Sequence, residues 1–179
     1  MPFLYHKRKF DIRSYILVTS VNGYQKGYWY QDGYIRTASK EFNMKNLANR
    51  VIHLTNDAVQ KKSEDYGKYE PYNKLSFSDF QRYLDASHST ENGAKLKFWQ
   101  QAYPEMKKLA AEAIRAVYTK MNPSKKDFCF EVFGLDFLID ENFKVWLIEA
   151  NTNPCLEASA PLLGRLIPSL LENVFRYGK

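Results

Sequence analysis

Two apolar, β-rich runs, Phe128–Ile139 and Phe143–Ala150, flank the short polar break Asp140-Glu141-Asn142, and such a pattern reads as an antiparallel β-hairpin. Side chains alternate faces along a strand, so Leu135, Phe137 and Ile139 point one way and Val132, Gly134, Asp136 and Leu138 the other. On the return strand Trp146, Ile148 and Ala150 share a face, opposite Val145, Leu147, Glu149 and Asn151. An odd-with-even register across the turn places Asp136, Glu149 and Asn151 on one face, where opposite and diagonal neighbours sit roughly 5–8 Å apart. Unpaired buried charge is costly, so Asp136 and Glu149 require either cations or solvent on that face. Magnesium suits these oxygen donors better than zinc, which favours His or Cys, or calcium, which takes a larger oxygen cage. The same residues also suit the wet face of an ordinary hairpin, and this stretch alone leaves both readings open.

The N-terminal part predicts a second polar wall. In Lys9–Val18, Phe10, Ile12, Ile16 and Val18 form an apolar face, while Lys9, Asp11 and Arg13 lie on the other and give way to Tyr15 and Leu17. This is the pattern of a polar site that passes into core along one strand. A break at Asn22-Gly23 and a hairpin signal at Asp32-Gly33 predict a three-stranded antiparallel meander ending in Tyr34-Ile35-Arg36-Thr37. Arg36 shares a face with Tyr34 and suits either an anion or a neighbouring carboxylate.

Asn49–Asn56 reads as a short apolar piece with a structural His53, and Gln60–Pro71 as an exposed, turn-rich loop. Ser76 offers an N-cap to a helix carrying Phe77, Phe80, Tyr83 and Leu84, and Ala86–Gly93 reads as a mobile insertion. Two longer helices follow. One carries a stripe from Met106 through Leu109, Ala110, Ala113, Ile114, Val117 and Tyr118 to Met121 and stops at Asn122-Pro123-Ser124; the other begins at Ser159 and Pro161 with repeating Leu, Ile and Val, and Pro168 should kink it. The predicted class is α+β, a mainly antiparallel sheet with helices on one face and the polar face left open.

A chain of 179 residues suits one domain with a real core. No run approaches the ~20 apolar residues of a membrane helix, and MPFLYHKRKF lacks the long apolar stretch of a signal peptide. Cys129 and Cys155 lack metal spacing, which makes a reduced, cytosolic setting the default expectation. Lys and Arg outnumber Asp and Glu by 26 to 20, a formal charge of +6 that favours acidic partners. Recognition of nucleic acid is disfavoured, because the basic residues form no concentrated stripe and no known motif accompanies them.

Six segments in order, Lys9-Phe10-Asp11-Ile12-Arg13, Arg36-Thr37, His53-Leu54-Thr55-Asn56 with Gln60-Lys61, Tyr66-Gly67-Lys68-Tyr69, Phe133-Gly134-Leu135-Asp136-Phe137 and Trp146-Leu147-Ile148-Glu149-Ala150-Asn151, resemble the tubulin-tyrosine ligase-like family. That resemblance implies an ATP-grasp fold and ATP-dependent ligation of an amino acid to a protein carboxylate, usually on tubulin tails, through an acyl phosphate. It implies that Asp136, Glu149 and Asn151 hold Mg²⁺, and that Lys9, Asp11 and Arg13 contact nucleotide and the acidic acceptor. It further implies that Arg36 meets the reacting carboxylate or phosphate and that Thr55 and Asn56 belong to the nucleotide site. The family's N-terminal lobe, with its glycine-rich phosphate loop, would precede Lys9, so residues 1–179 are expected to form the C-terminal part of an ATP-grasp domain. Tyrosine, glutamate and glycine stay open as the amino acid added, and the location implied is cytoplasm, cytoskeleton or cilium. The alternative is a non-catalytic basic module that holds acidic tails or microtubules.

Overall fold

The fold is described from a computed structural model covering residues 1–87 and 95–178. Strands β1 (Phe10–Val21) and β2 (Tyr24–Thr37) form a hairpin whose tight turn uses Asn22 and Gly23 at φ 49° and 81°. Left-handed backbone at both positions is what a two-residue hairpin turn demands, and Asn-Gly supplies it at low cost. Single-turn helices α1 (Arg50–His53) and α2 (Asp57–Gln60) lead to the short strand β3 (Lys74–Ser76) and helix α3 (Phe77–Ser87). After a π-helical turn at Phe98–Ala102 come α4 (Tyr103–Val117), strands β4 (Phe128–Ile139) and β5 (Val145–Asn151), and the last helix α5 (Pro161–Tyr177), which contains Pro168. Among the described residues the strands form one sheet in the order β3-β2-β1-β4-β5, antiparallel at every step. This mixed, helix-packed antiparallel sheet is the α+β arrangement expected and is consistent with an ATP-grasp-like lobe.

Helices cover both faces of the sheet, where the sequence predicts one. Phe10, Ile12 and Ile16 of β1 join Ile35, Leu135, Phe137 and Ile139 in a core closed by Phe77, Phe80 and Leu84 of α3, by Phe98, and by Met106 and Ala110 of α4. On the opposite face Tyr15, Leu17 and Tyr34 meet Leu163, Leu166, Ile167, Leu170 and Val174 of α5. The reason lies in β1, whose odd positions change from Asp11 and Arg13 to Tyr15 and Leu17; α5 buries the apolar half and leaves the charged half for other partners. The polar wall passing into core along one strand is thus present.

Asp32-Gly33 is not a hairpin turn. Strand β2 runs through it, with Ser14 opposite Gly33 and Ile16 opposite Trp29, so Tyr30, Gln31 and Asp32 bulge across Tyr15. Gly33 is required by close approach, since a Cβ there would collide with the Arg13 carbonyl oxygen and lie 2.6 Å from the Phe77 ring. The third strand of the predicted meander is instead β3, which pairs with Tyr34–Arg36.

The loop after α2 is pinned at both ends, contrary to the exposed segment predicted. Gln60 is fully buried and accepts hydrogen bonds from the Ser39 amide and hydroxyl. Glu70 is also buried, bonded to both Arg8 amines at 2.5 and 2.8 Å and to the Thr37 hydroxyl at 2.8 Å. His53 is structural as expected, its Nε2 lying 3.0 Å from the Asn46 carbonyl. Ser76 caps α3 by accepting the Asp79 amide at 3.1 Å. The apolar stripe of α4 ends earlier than its sequence suggests, because Val117 and Tyr118 are exposed. Of the stretch read as a mobile insertion, Ala86 and Ser87 finish α3 and 88–93 lie outside the described residues.

Candidate active site

Four charged side chains from three adjacent strands interlock on the part of the α5-side face that the helix leaves uncovered. Asp11 of β1 stands opposite Arg36 of β2, and Arg13 of β1 opposite Asp136 of β4, so each ion pair joins direct cross-strand neighbours. Arg36 holds Asp11 through Nε at 2.6 Å and Nη2 at 2.8 Å, and its Nη2 also reaches across β1 to Asp136 at 2.8 Å. Arg13 holds Asp136 through Nε at 2.5 Å and Nη2 at 3.1 Å. The Thr55 hydroxyl donates to Asp11 at 2.5 Å, which ties the turn after α1 to the network. All four charged residues are less than a tenth exposed. Burial alone would raise the pKa of Asp136, but Arg13 and Arg36 outweigh it and hold the carboxyl below the usual aspartate range. Burial likewise disfavours the charged form of Arg36, and Asp11 followed by Asp136 more than compensates, so its pKa is raised.

Glycine makes room for this packing. Gly134 lies opposite Tyr15 on β4, and a Cβ there would come within 2.7 Å of the Pro154 Cβ and 3.2 Å of Arg13 Nη1. The Arg13 guanidinium and the turn after β5 therefore use space that any larger residue would fill.

Glu149 and Asn151 reach the same face through a register change. Near the turn Ile139 pairs with Val145 and Phe137 with Leu147, odd with odd, and a bulge at Ile148 then sets Asp136 opposite Glu149 and Gly134 opposite Asn151. The two ends of β5 consequently serve different faces: Val145 and Leu147 pack with the α4-side core, whereas Glu149 stands beside Asp136. Unbroken alternation along β5, as read from the sequence, is replaced by this bulge. Glu149 is exposed, and Asn151 Nδ2 donates to its Oε1 at 3.2 Å and to the Gly134 carbonyl at 3.4 Å.

The remaining expected residues divide. Lys9 donates to the His53 carbonyl at 2.8 Å and so braces α1, apart from the carboxylate cluster. Asn56 stands at the N-cap of α2 and lines, with Arg13, Arg36, Lys61 and Asn151, a cavity of about 260 Å³. Sequence reasoning missed Tyr34 in this wall and the pair that carries the floor of α2, Lys74 to both Asp57 oxygens at 2.7 and 2.8 Å. Burial lowers the pKa of Lys74. A lysine in a three-residue strand gives no sequence signal of its own; its role follows from β3 lying under α2.

Among the described residues no group of three or more His, Cys, Asp or Glu side chains is placed to hold a metal. The residues expected from the sequence to hold a cation, Asp136, Glu149 and Asn151, comprise two carboxylates and an amide on this face. Their donor set is oxygen only, which fits Mg²⁺, and Asp136 shares its oxygens with two guanidiniums.

The model of the tubulin-tyrosine ligase family matches residues 1–178. A probable tubulin polyglutamylase, TTLL9 of Bos taurus, is 34% identical over 172 residues, which is 96% of this chain and 35% of the relative. Tubulin glycylase 3D of Tetrahymena thermophila is 34% identical over 97% of this chain and 16% of its own length. Tubulin polyglutamylase TTLL5 of Mus musculus is 35% identical over 97% of this chain and 14% of its own. The chain thus spans about a third or less of the length of these relatives. With the family model matched over residues 1–178, this chain belongs to the tubulin-tyrosine ligase family.

Proposed function

We propose that this chain supplies part of the active site of an ATP- and Mg²⁺-dependent ligase that joins tyrosine, glutamate or glycine to a carboxylate of tubulin or another acidic protein tail through an acyl phosphate. One observation carries the reading: the two arginines of the buried Arg13–Asp136–Arg36–Asp11 network line a cavity together with Asn151, and Glu149 pairs with Asp136 across the strands. A carboxylate approaches a γ-phosphate only when cations offset the repulsion between the two anions, and positioning and electrostatics make up most of such catalysis. Asp11 and Asp136 engage Nε and Nη2 of Arg36, and Asp136 engages Nε and Nη2 of Arg13. The Nη1 amine of Arg36 would then meet an oxygen of the reacting carboxylate or phosphate, and the low dielectric of the buried site strengthens that attraction. Asp136, Glu149 and Asn151 would hold Mg²⁺, which when bound supplies further charge neutralisation of the phosphates. The family resemblance supports Lys9, Asp11, Thr55 and Asn56 as nucleotide contacts, residues 1–179 as the C-terminal part of an ATP-grasp domain, and action in the cytoplasm, on the cytoskeleton or in a cilium.

The test is transfer of labelled tyrosine, glutamate or glycine to an acidic tubulin-tail peptide by the complete protein with ATP and Mg²⁺. Arg13→Ala and Arg36→Ala should each reduce transfer at least about a hundredfold, as removal of transition-state charge partners does elsewhere. Failure of all three amino acids with the unaltered protein overturns the reading.

A further inference from the structure

Helix α5 stops short of one end of the sheet. Its last turn stacks Tyr177 on Tyr28 of β2, with ring centroids 5.3 Å apart, and brings Gly178 beside Phe130 of β4, where a Cβ would lie 3.5 Å from the ring. The outermost row of the α5-side face is Tyr24, Val21 and Phe128, direct cross-strand neighbours on β2, β1 and β4. Tyr24 is 82% exposed and Phe128 73%, with Val21 at 39% between them and Phe130 at 46% behind. Single exposed apolar residues are ordinary on a surface, but a contiguous row drawn from three strands marks a contact.

Cations flank this row. Lys26 shares the face, opposite Thr19, with its amine 5.0 Å from the Tyr28 ring. Lys120, Lys125 and Lys126 stand in the segment between α4 and β4. That segment is tied to the β1–β2 hairpin by the Asn22 amide, which donates to the Asp127 carbonyl at 2.7 Å, and by Asn122 Nδ2, which donates to Ser20 Oγ at 3.2 Å. All four lysines are exposed, and among the described residues none of them takes part in an ion pair. From Lys120 to Phe130 the one acid is Asp127, and alternation along β4 turns Glu131 to the opposite face.

We propose that this end of the sheet docks on an anionic membrane surface, with Tyr24, Val21 and Phe128 entering the headgroup boundary and the four lysines meeting lipid phosphates and carboxylates. Apolar rings flanked by lysines, whose stems lie along apolar surface while their amines reach the headgroups, have the composition of an interfacial anchor. The row is a set of projecting side chains at a sheet end, and a fluid lipid interface accepts such a row without matching its shape. The contact is peripheral and needs no spanning helix. It goes beyond the ligase reading and does not depend on it: Arg13 lies ~26 Å back along β1 from Val21, so the candidate site stays clear of the bilayer.

The experiment is flotation of the complete protein with vesicles of phosphatidylcholine alone and of phosphatidylcholine with about 30% phosphatidylserine. The wild type should partition at least about tenfold more strongly onto the anionic vesicles and lose that preference at about 1 M salt. Lys125→Glu combined with Lys126→Glu should weaken partitioning at least about twentyfold, from about fivefold per lysine lost. Tyr24→Ser combined with Phe128→Ser, both at exposed positions, should weaken it about tenfold or more with an unchanged melting curve. The emission added by Tyr24→Trp should be quenched by brominated acyl chains, which adsorption by charge alone does not produce. Absence of binding by the folded wild type, equal partitioning onto both vesicles, unaffected variants or an unquenched Trp overturns the proposal. Self-association in sedimentation equilibrium that the Tyr24 and Phe128 changes abolish would assign the row to a second copy of the chain and also overturns it. No step reads amino-acid transfer, so failure of the ligase reading leaves the result intact.

Discussion

Arg36 touches both buried carboxylates of the site, and its removal leaves Asp11 with the Thr55 hydroxyl and Asp136 with Arg13 alone. Breaking a buried ion pair from one side costs about 3–5 kcal/mol, because the stranded charge keeps its desolvation penalty. For a chain of this length about 2–4 °C of Tm accompanies each kcal/mol, so Arg36→Ala should lower the midpoint by about 10 °C. Arg36→Lys keeps the charge but not the Nε/Nη2 fork, and should recover less than half of the loss. The effect carries a pH signature. Asp136 has a folded-state pKa below its unfolded value, so its stabilisation is complete above the unfolded value and is lost as pH falls through the folded one. Without Arg36, burial gains on the remaining guanidinium and that stabilisation shrinks. The gap between wild type and Arg36→Ala should therefore be full at pH 7 and narrow below about pH 4, as Asp136 takes up a proton. Urea denaturation followed by circular dichroism at pH 7 and at about pH 3.5 reads both quantities. A loss under about 1 kcal/mol at pH 7, or a gap that stays constant between the two pH values, would refute the reasoning.

Three further substitutions separate packing, capping and the metal-facing edge. Gly134→Ala sets a Cβ 2.7 Å from Pro154 and should cost about 1–3 kcal/mol in urea melts while displacing Arg13 enough to suppress transfer activity. Ser76→Ala removes the acceptor for the Asp79 amide and should cost about 1 kcal/mol with no change in activity per folded molecule. Glu149→Gln, at an exposed position, should leave stability within about 0.5 kcal/mol yet raise the Mg²⁺ concentration for half-maximal transfer at least about tenfold; an unshifted Mg²⁺ titration would remove Glu149 from the metal site.

The sequence carried the two halves of the site differently. Alternation along β1 placed Asp11 and Arg13 on one face correctly, because that strand is regular from Phe10 to Ser14 and its apolar partners Phe10 and Ile12 are fully buried. The central hairpin was legible for the same reason, since Phe137 and Ile139 are buried apolar residues in strict alternation. Helix placement was not legible: the stripes on α4 and α5 look alike as patterns, and only the change from Arg13 to Tyr15 hints that the second stripe covers the other face. Asp32-Gly33 misled because Gly marks both tight turns and close approach, and here it admits the Phe77 ring. Gln60 and Glu70 escaped because buried polar residues at loop ends look like surface residues until their partners, Ser39 and Arg8, are brought from far along the chain. The Arg36–Asp136 bond spans 100 positions and passes over an intervening strand, a relation that periodicity does not encode.

The bulge at Ile148 also bears on how this sheet meets its surroundings. Strand β5 is seven residues long, lies at the end of the sheet, and presents exposed Trp146 and Ile148. A flat, apolar edge of that kind invites another chain to add a strand, and a bulge breaks the regular spacing of amide and carbonyl groups that such an addition needs. Deleting Ile148 would straighten the rim while Glu149, then following Leu147 directly, stays opposite Asp136. One extra residue thus protects this strand from self-association, and the deletion variant should lose solubility while keeping Glu149 beside Asp136 and its Mg²⁺ response.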